Sequence, residues 1–254
     1  MSTLIRVDDV EKYYGRGKQV TKAVNRISFE IEKGEFTGIM GASGSGKTTL
    51  INLMATIDAV TSGHIFYEGK DITSMKEDEL SEFRKENLGF VFQDFNLLDT
   101  LTIKENIELA LSLCETSKKE VERRTREMMH TLGILGIADK FPYEVSGGQK
   151  QRCACARALI NRPQIIFADE PTGALDSRSA RMLLETFNKM NEELSATILM
   201  VTHDAFSASY CQRILFLKDG QIFHELRRGR EDRRCFLNKI LDVLSLTGGD
   251  LDAH

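Results

Sequence analysis

Residues 41–48 (GASGSGKT) have a composition and spacing suited to binding phosphate. They match the pattern G-x-x-x-x-G-K-[ST], follow a predicted strand over 36–40 and open a predicted helix over 48–57. The glycines allow backbone N–H groups to converge on phosphate oxygens, and the helix N-terminus adds positive potential. We therefore expect Lys47 to reach the β- and γ-phosphates of a nucleotide and the Thr48 hydroxyl to bind Mg²⁺.

A second chemical segment is 165–170 (IIFADE), an apolar run that ends in two carboxylates. A buried strand here would deliver Asp169 at its carboxyl end, where open α/β sheets bind ligands. Asp169 is expected to hold Mg²⁺, through water, and Glu170 to polarise the attacking water as a general base. Many buried strands end in acidic residues, so this segment predicts a nucleotide site only in combination with the phosphate loop.

The third segment is 145–152 (VSGGQKQR). Ser146 is placed to cap a helix whose first turn is glycine, which leaves the backbone open to an anion. A plain capped helix remains the alternative on these residues alone. A generic phosphate-loop enzyme does not require this segment, so its presence narrows the class of protein.

These segments together resemble the ATP-binding-cassette (ABC) family. Ser146, Gly147, Gly148 and Gln149 resemble its signature motif, with Val145 where leucine is usual. Four further hallmarks follow the family order: an adenine-stacking aromatic (Tyr14, with Tyr13 as the alternative), the Q-loop glutamine (Gln93), the D-loop over 174–176 that ends in Asp176, and the switch histidine (His203).

The resemblance implies an ATPase with the phosphate-loop NTPase fold of the ABC type. It also implies that two copies pair head to tail, so that Ser146 and Gly148 act on the γ-phosphate held by the partner's phosphate loop. The implied ATP-binding residues are Tyr14, Gly41, Ser43, Gly44, Ser45, Gly46, Lys47, Thr48, Thr49, Ser146, Gly147, Gly148, Gln149 and Asp176; the implied catalytic residues are Lys47, Gln93, Glu170 and His203, and the implied Mg²⁺ ligands are Thr48, Gln93 and Asp169.

One group within the family shares the longest segments. Residues 40–52, 89–99, 166–177 and 214–220 are similar to the bacitracin- and lantibiotic-resistance transporters of Gram-positive bacteria. Their ATPases serve a separate membrane permease, often beside a sensor histidine kinase, and both are partners that the resemblance implies. Lipoprotein-release and macrolide-export ATPases share most of these motifs and remain alternatives.

Two other classes fit the sequence less well. Soluble ABC ATPases of repair or translation usually join two cassettes or insert a coiled coil or zinc module, whereas this chain has one cassette and no zinc-ligand spacing. A small-molecule kinase would share the phosphate loop but has no use for a signature helix.

The composition is ordinary for a globular protein of 254 residues, with 41% apolar residues, 28% charged residues and a net charge of −4. This mildly acidic balance argues against nonspecific nucleic-acid binding. No apolar run is long enough to span a bilayer, and residues 1–12 lack the apolar core of a signal peptide. We expect a cytoplasmic protein, peripheral on the inner face of the membrane, with five unpaired cysteines.

Hydrophobic patterning predicts an α/β fold with a parallel-sheet core. Apolar runs at 165–168 and 197–201 flank a crossover helix over 177–194, which requires parallel strands. Capping-box spacings at Thr102, Ser117 and Ser146 open helices of an insertion over about 94–160. The N-terminal strands, with a loop at Gly15 and Gly17 after a strand over 4–10, are expected to form a separate antiparallel sheet.

We divide the chain into an ATPase domain, residues 1–226, and a C-terminal segment, residues 227–254. The latter begins with five arginines within 227–234 and continues as a helix with one apolar face. The simpler interpretation is a helix docked on its own domain; the alternative is a contact with a permease or anionic lipid headgroups. The apolar face consists of Phe236, Leu237, Ile240, Leu241 and Leu244.

Overall fold

The computed structural model describes residues 2–16, 19–92, 94–114 and 116–248. The strands of the described residues are β1 (Thr3–Arg16), β2 (Gln19–Glu32), β3 (Phe36–Met40), β4 (Ser62–Tyr67), β5 (Lys70–Asp71), β6 (Leu88–Phe92), β7 (Ile165–Asp169), β8 (Thr197–Thr202), β9 (Arg213–Lys218) and β10 (Gln221–Arg227). The α-helices are α1 (Lys47–Met54), α2 (Glu77–Asn87), α3 (Ile103–Ser112), α4 (Lys118–Thr131), α5 (Gly147–Leu159), α6 (Ser177–Leu194), α7 (Ala205–Ala208) and α8 (Arg233–Gly248).

The central sheet has the strand order β10-β9-β3-β8-β7-β6. All its neighbours are parallel except the β9–β10 hairpin, and β7 pairs with β8 in the predicted parallel arrangement. On β8, Ile198 and Met200 pack into one core while Leu199 and Val201 pack into the other. A strand buried on both faces explains the continuous apolar run.

A second sheet, in the order β2-β1-β4-β5, is antiparallel, as predicted. The prediction of a loop at Gly15 was wrong, because β1 continues through it and pairs Gly15 with Val20. Gly15 has a φ of 100°, which glycine tolerates within the strand. Gly17 lies outside the described residues. The hydrophobic pattern could not predict that β1 extends this far, because its last residues are held in the sheet by hydrogen bonds to β2 and not by burial of apolar side chains.

The predicted helical insertion contains α3, α4 and α5, and its caps form as expected. The side chains of Thr102, Ser117 and Ser146 each accept a hydrogen bond from the backbone N–H three residues later. This satisfies one of the unpaired donors at each helix start. The insertion shares a core with one face of the central sheet.

The C-terminal helix α8 is docked on its own domain. Phe236 and Ile240 are fully buried in the core beneath the central sheet. The prediction that Leu241 lies on the packed face was wrong, because its side chain is 48% exposed. The guanidinium of Arg233 lies 4.2 Å from the centroid of the Tyr210 ring. None of the described helices has the length and apolarity to span a membrane.

Candidate active site

The phosphate loop joins β3 to α1 and passes very close to two other backbone segments. A β-carbon at Gly41 would lie 2.2 Å from the Leu217 carbonyl oxygen, and one at Gly46 would lie 2.1 Å from the Ala23 carbonyl oxygen. Gly46 caps α1 with a φ of 101°. Glycine is therefore required at both positions. At Gly41 there is no room for a β-carbon, and at Gly46 there is neither room for one nor a backbone conformation that other residues readily adopt.

The Lys47 ammonium is held inside this loop. Its Nζ donates to the carbonyl oxygens of Gly41 and Ala42, each at 2.8 Å. Burial lowers the pKa of Lys47, while the nearby charges of Glu170 and Asp169 act in the opposite direction. The loop thus keeps a cation beside the backbone groups that would bind phosphate.

Asp169 ends β7 beside the side chain of Thr48. Burial, followed by the charge of Glu170, raises the pKa of Asp169, although Thr48 and Lys47 partly oppose this shift. Its Oδ1 is buried without a hydrogen-bond partner in the described part of the chain. A carboxylate and a hydroxyl form a donor set that suits Mg²⁺, and the ion would satisfy the unpaired oxygen.

Glu170 and His203, which follow β7 and β8, lie close together. The Nδ1 atom of His203 lies 2.9 Å from Glu170 Oε1. Glu170 has a φ of 46°, which is rare for a residue other than glycine, and its N–H donates to the Val201 carbonyl. The turn after β7 therefore places the carboxylate next to the histidine that follows β8.

A cavity of 680 Å³ brings Lys47, Thr48, Glu170 and His203 together. Sequence analysis missed the wall supplied by β2, because only the packing of this strand against the phosphate loop brings it there. The described residues around the cavity are Thr21, Lys22, Ala23, Ala42, Ser43, Gly44, Gly46, Lys47, Thr48, Thr49, Glu170 and His203. None of them comes from α5, so the signature residues lie outside the cavity of their own chain.

The two candidate adenine-stacking residues both lie near this cavity. The Tyr14 hydroxyl donates to Asp58 at 2.6 Å and also contacts Thr49, which lines the cavity. The Tyr13 ring faces Lys22, whose Nζ lies 5.0 Å from the ring centroid. The preference for Tyr14 stays a prediction, because neighbours of both tyrosines line the cavity.

The signature residues form the start of α5, where Ser146 and Gly147 are exposed, Gln149 is partly exposed and Gly148 is buried. Ser146 N–H donates to Gln149 Oε1 at 2.9 Å, and Gln149 N–H donates to Ser146 Oγ at 3.3 Å. The D-loop carboxylate of Asp176 caps the neighbouring helix α6 by accepting from two of its N–H groups. Gln93 lies outside the described residues, so its predicted roles are not placed.

Comparison with known proteins decides the family. The model of the ABC transporter family matches residues 24–173. This chain belongs to the ABC transporter family. It is an ATP-binding subunit with ATPase activity, as its sequence motifs predicted.

Two relatives span almost all of this ABC protein. The bacitracin export ATP-binding protein BceA of Halalkalibacterium halodurans is 49% identical over 99% of both chains. The ABC transporter ATP-binding protein YxdL of Bacillus subtilis is 49% identical over 98% of this chain and 96% of its own. These similarities confirm the resemblance to the bacitracin-resistance group.

The fold is confirmed by a solved structure, the dimeric cassette MJ0796 of Methanocaldococcus jannaschii in a post-hydrolysis state with ADP and Pi. It has a TM-score of 0.81 and 38% identity, covering 88% of this chain and 98% of that one.

Proposed function

We propose that this ABC ATPase binds Mg²⁺-ATP between two copies of itself and drives a membrane permease that protects the cell from peptide antibiotics. The first part is supported by the placement of Lys47, Glu170 and His203 around one cavity, with the charge of Asp169 close to Lys47. The second part is supported by the full-length similarity to a bacitracin export ATP-binding protein. The permease would hold the protein at the inner face of the membrane, and a sensor histidine kinase is a further proposed partner.

In this proposal the phosphate loop binds the triphosphate and Lys47 neutralises its terminal charge. Thr48 and Asp169 would hold Mg²⁺, with Gln93 as the further predicted ligand, and the ion would supply positive charge that stabilises phosphoryl transfer. Glu170 orients and polarises the attacking water, and His203, 2.9 Å from Glu170, holds that carboxylate in place and faces the γ-phosphate. Each of these side chains thus either balances the negative charge of the phosphates or helps to position the attacking water and its proton.

The partner copy supplies the remaining wall. Ser146 and Gly147 are exposed at the start of α5, and none of the signature residues is among the described residues around the cavity of its own chain. We propose that Ser146 and Gly148 contact the γ-phosphate bound to the partner, where helix N-terminal donors stabilise the charge of phosphoryl transfer. Asp176 lies at the neighbouring helix start and belongs to the same contact surface.

The alternative of macrolide export has less support. A macrolide export ATP-binding/permease protein from Mannheimia succiniciproducens is 41% identical, but the chain spans only 35% of that protein's length.

The test is growth inhibition by bacitracin and by lanthionine peptides in cells that lack this gene. We expect deletion to sensitise the cell, and Lys47→Ala to behave like the deletion because the loop can no longer hold the γ-phosphate productively. A macrolide and a lipoprotein-sorting assay serve as controls. Unchanged peptide tolerance together with a defect in either control would refute the peptide assignment and leave the ATPase assignment intact.

A further inference from the structure

The guanidinium of Arg157 on α5 binds two successive backbone carbonyls of the loop between β6 and α3. Its Nη1 donates to the Asn96 carbonyl at 2.5 Å, and its Nη2 donates to the Phe95 carbonyl at 3.0 Å. Burial lowers the pKa of Arg157. Its acceptors in the described part of the chain are both neutral carbonyls, so a partly buried charge is committed to fixing this loop.

The carbonyls that Arg157 binds belong to a strained piece of backbone. Phe95 has a φ of 60° and Asn96 a φ of 48°, so two consecutive residues other than glycine occupy the left-handed region. Side chains disfavour this conformation, and it persists where surrounding contacts enforce it. The two hydrogen bonds from Arg157 are contacts of this kind.

This conformation places the Phe95 ring at the signature motif. A β-carbon built on Gly147 would lie 3.9 Å from Phe95 Cζ and 3.9 Å from Leu175 Cδ2. The tip of the Phe95 ring and the D-loop side chain of Leu175 thus both lie beside Gly147, at the start of α5 that is proposed to meet the partner copy.

The far end of the loop is held in a different way. The buried Asn106 amide on α3 donates to the carbonyls of Leu98, Leu101 and Thr102, each at 3.0 Å, and accepts from the Leu98 N–H at 2.8 Å. This clamp joins the loop to the helix that follows it. Arg157 instead joins the loop to the signature helix.

We propose that Arg157 is a positioning residue for the partner-facing surface: by holding residues 95–96 in place, it keeps the Phe95 ring beside Gly147 in the arrangement that an ATP-bound partner copy recognises. The proposal rests on the head-to-tail dimer of the proposed function. Neither hydrogen-bond acceptor of Arg157 is among the described residues around the nucleotide cavity, so the ATP affinity of the single copy should not depend on it.

The experiment uses the full chain with Glu170→Gln, which is expected to trap the ATP-bound dimer. Three further variants are compared in that background: Arg157→Met, Arg157→Lys, and Arg126→Met, an exposed arginine on α4 that serves as the matched control. The measurements are the dissociation constant of the dimer in ATP by analytical ultracentrifugation, nucleotide affinity of the dilute monomer by fluorescence, and amide hydrogen exchange of residues 95–98.

We expect Arg157→Met to weaken the ATP-dependent dimer on the order of tenfold, a factor typical of losing a positioned charged hydrogen bond. Monomer affinity for nucleotide should stay within about twofold of the parent, a change too small to reflect a lost contact. Amides 95–98 should exchange faster, because the strained loop is released. Arg157→Lys should lie between the parent and Arg157→Met, since one ammonium cannot reproduce the two-pronged donation. Arg126→Met should match the parent.

Parent-like dimerisation and parent-like exchange in both Arg157 variants would overturn the proposal. A parallel loss of nucleotide affinity and dimerisation would also overturn it, because it would show a merely structural role. If the parent itself does not dimerise in ATP, the proposed dimer is wrong. Exchange at residues 95–98 then still decides whether Arg157 holds the loop, and unchanged exchange would reject that as well.

Discussion

Replacing Gly147 or Gly148 of the signature motif with alanine should give two variants that differ in their stability. A β-carbon on Gly148 would lie 2.6 Å from Ser179 Oγ and 3.0 Å from Ser179 Cβ, whereas one on Gly147 meets its nearest neighbours at 3.9 Å. Replacing glycine with alanine in a helix interior stabilises the helix by roughly 0.5–1 kcal/mol. Because both positions lie in the first turn of α5, this gain should be similar in the two variants and should largely cancel when their stabilities are compared. The difference is then the cost of overpacking, about 1–3 kcal/mol.

The clash at Gly148 cannot be relieved without a loss elsewhere. Ser179 Oγ donates to Asp176 Oδ2 at 2.7 Å, so a rotation away from the new methyl group would break a bond at the α6 cap. We therefore expect urea unfolding to show Gly148→Ala less stable than Gly147→Ala by about 1–3 kcal/mol. Equal stabilities, or a less stable Gly147→Ala, would refute this packing argument.

Activity should not follow stability in this pair. Gly147 is exposed at the surface proposed to meet the partner's γ-phosphate, so its new methyl group would obstruct that approach while leaving the fold intact. We expect Gly147→Ala to keep or slightly gain stability and to lose most ATPase activity. Full activity of the stable Gly147→Ala variant in a turnover assay would argue against a role for this surface in hydrolysis.

Four further outcomes are expected. Glu170→Gln should retain ATP binding, measured by nucleotide fluorescence, and lose ~10²- to 10⁴-fold in turnover if Glu170 is the base; near-normal turnover would exclude that role. Tyr14→Ala should raise KM for ATP more than it lowers kcat, and Tyr14→Phe should leave KM nearly unchanged. Because the pKa of Asp169 is raised in the fold, stability without nucleotide should fall as pH rises through that pKa, and thermal unfolding should find Asp169→Asn more stable than the parent at pH 7 but inactive. Ile240→Ala should destabilise by about 2–5 kcal/mol in urea unfolding and exposed Leu241→Ala by less than about 0.5 kcal/mol, and equal losses would contradict the observed docking of α8.

The chemistry of phosphate explains which parts of the site were predictable. A loop that converges N–H groups on phosphate needs glycines and a lysine at fixed spacing, so residues 41–48 carry their role in their sequence. Lys22 carries no such mark. Lys22 reaches the cavity only because β2 lies beside the phosphate loop. A pattern within one segment of the sequence does not show which other segment packs against it.

The same distinction explains the fold. The apolar runs of β7 and β8 predicted buried parallel strands because burial on both faces demands apolar residues. Helix α2 was not predicted, and the structure shows no buried residue along it. Only Leu80 and Phe83 of this helix pack against the core, and both stay partly exposed, so its apolar periodicity is weak. Acidic residues in its first turn and basic residues in its last stabilise it as well.

Helix α5 connects the half of the site that a copy uses itself with the half that it offers to its partner. Its first residues form the exposed signature surface, while Gln151, one turn later and buried, donates from Nε2 to the Pro171 carbonyl at 2.9 Å. Pro171 directly follows Glu170, so a displacement at the start of α5 is transmitted within a few bonds to the proposed general base. This geometry favours a mechanism in which contact with the partner's ATP sets the position of Glu170, because the signature residues and Gln151 lie on the same rigid stretch of helix and move together.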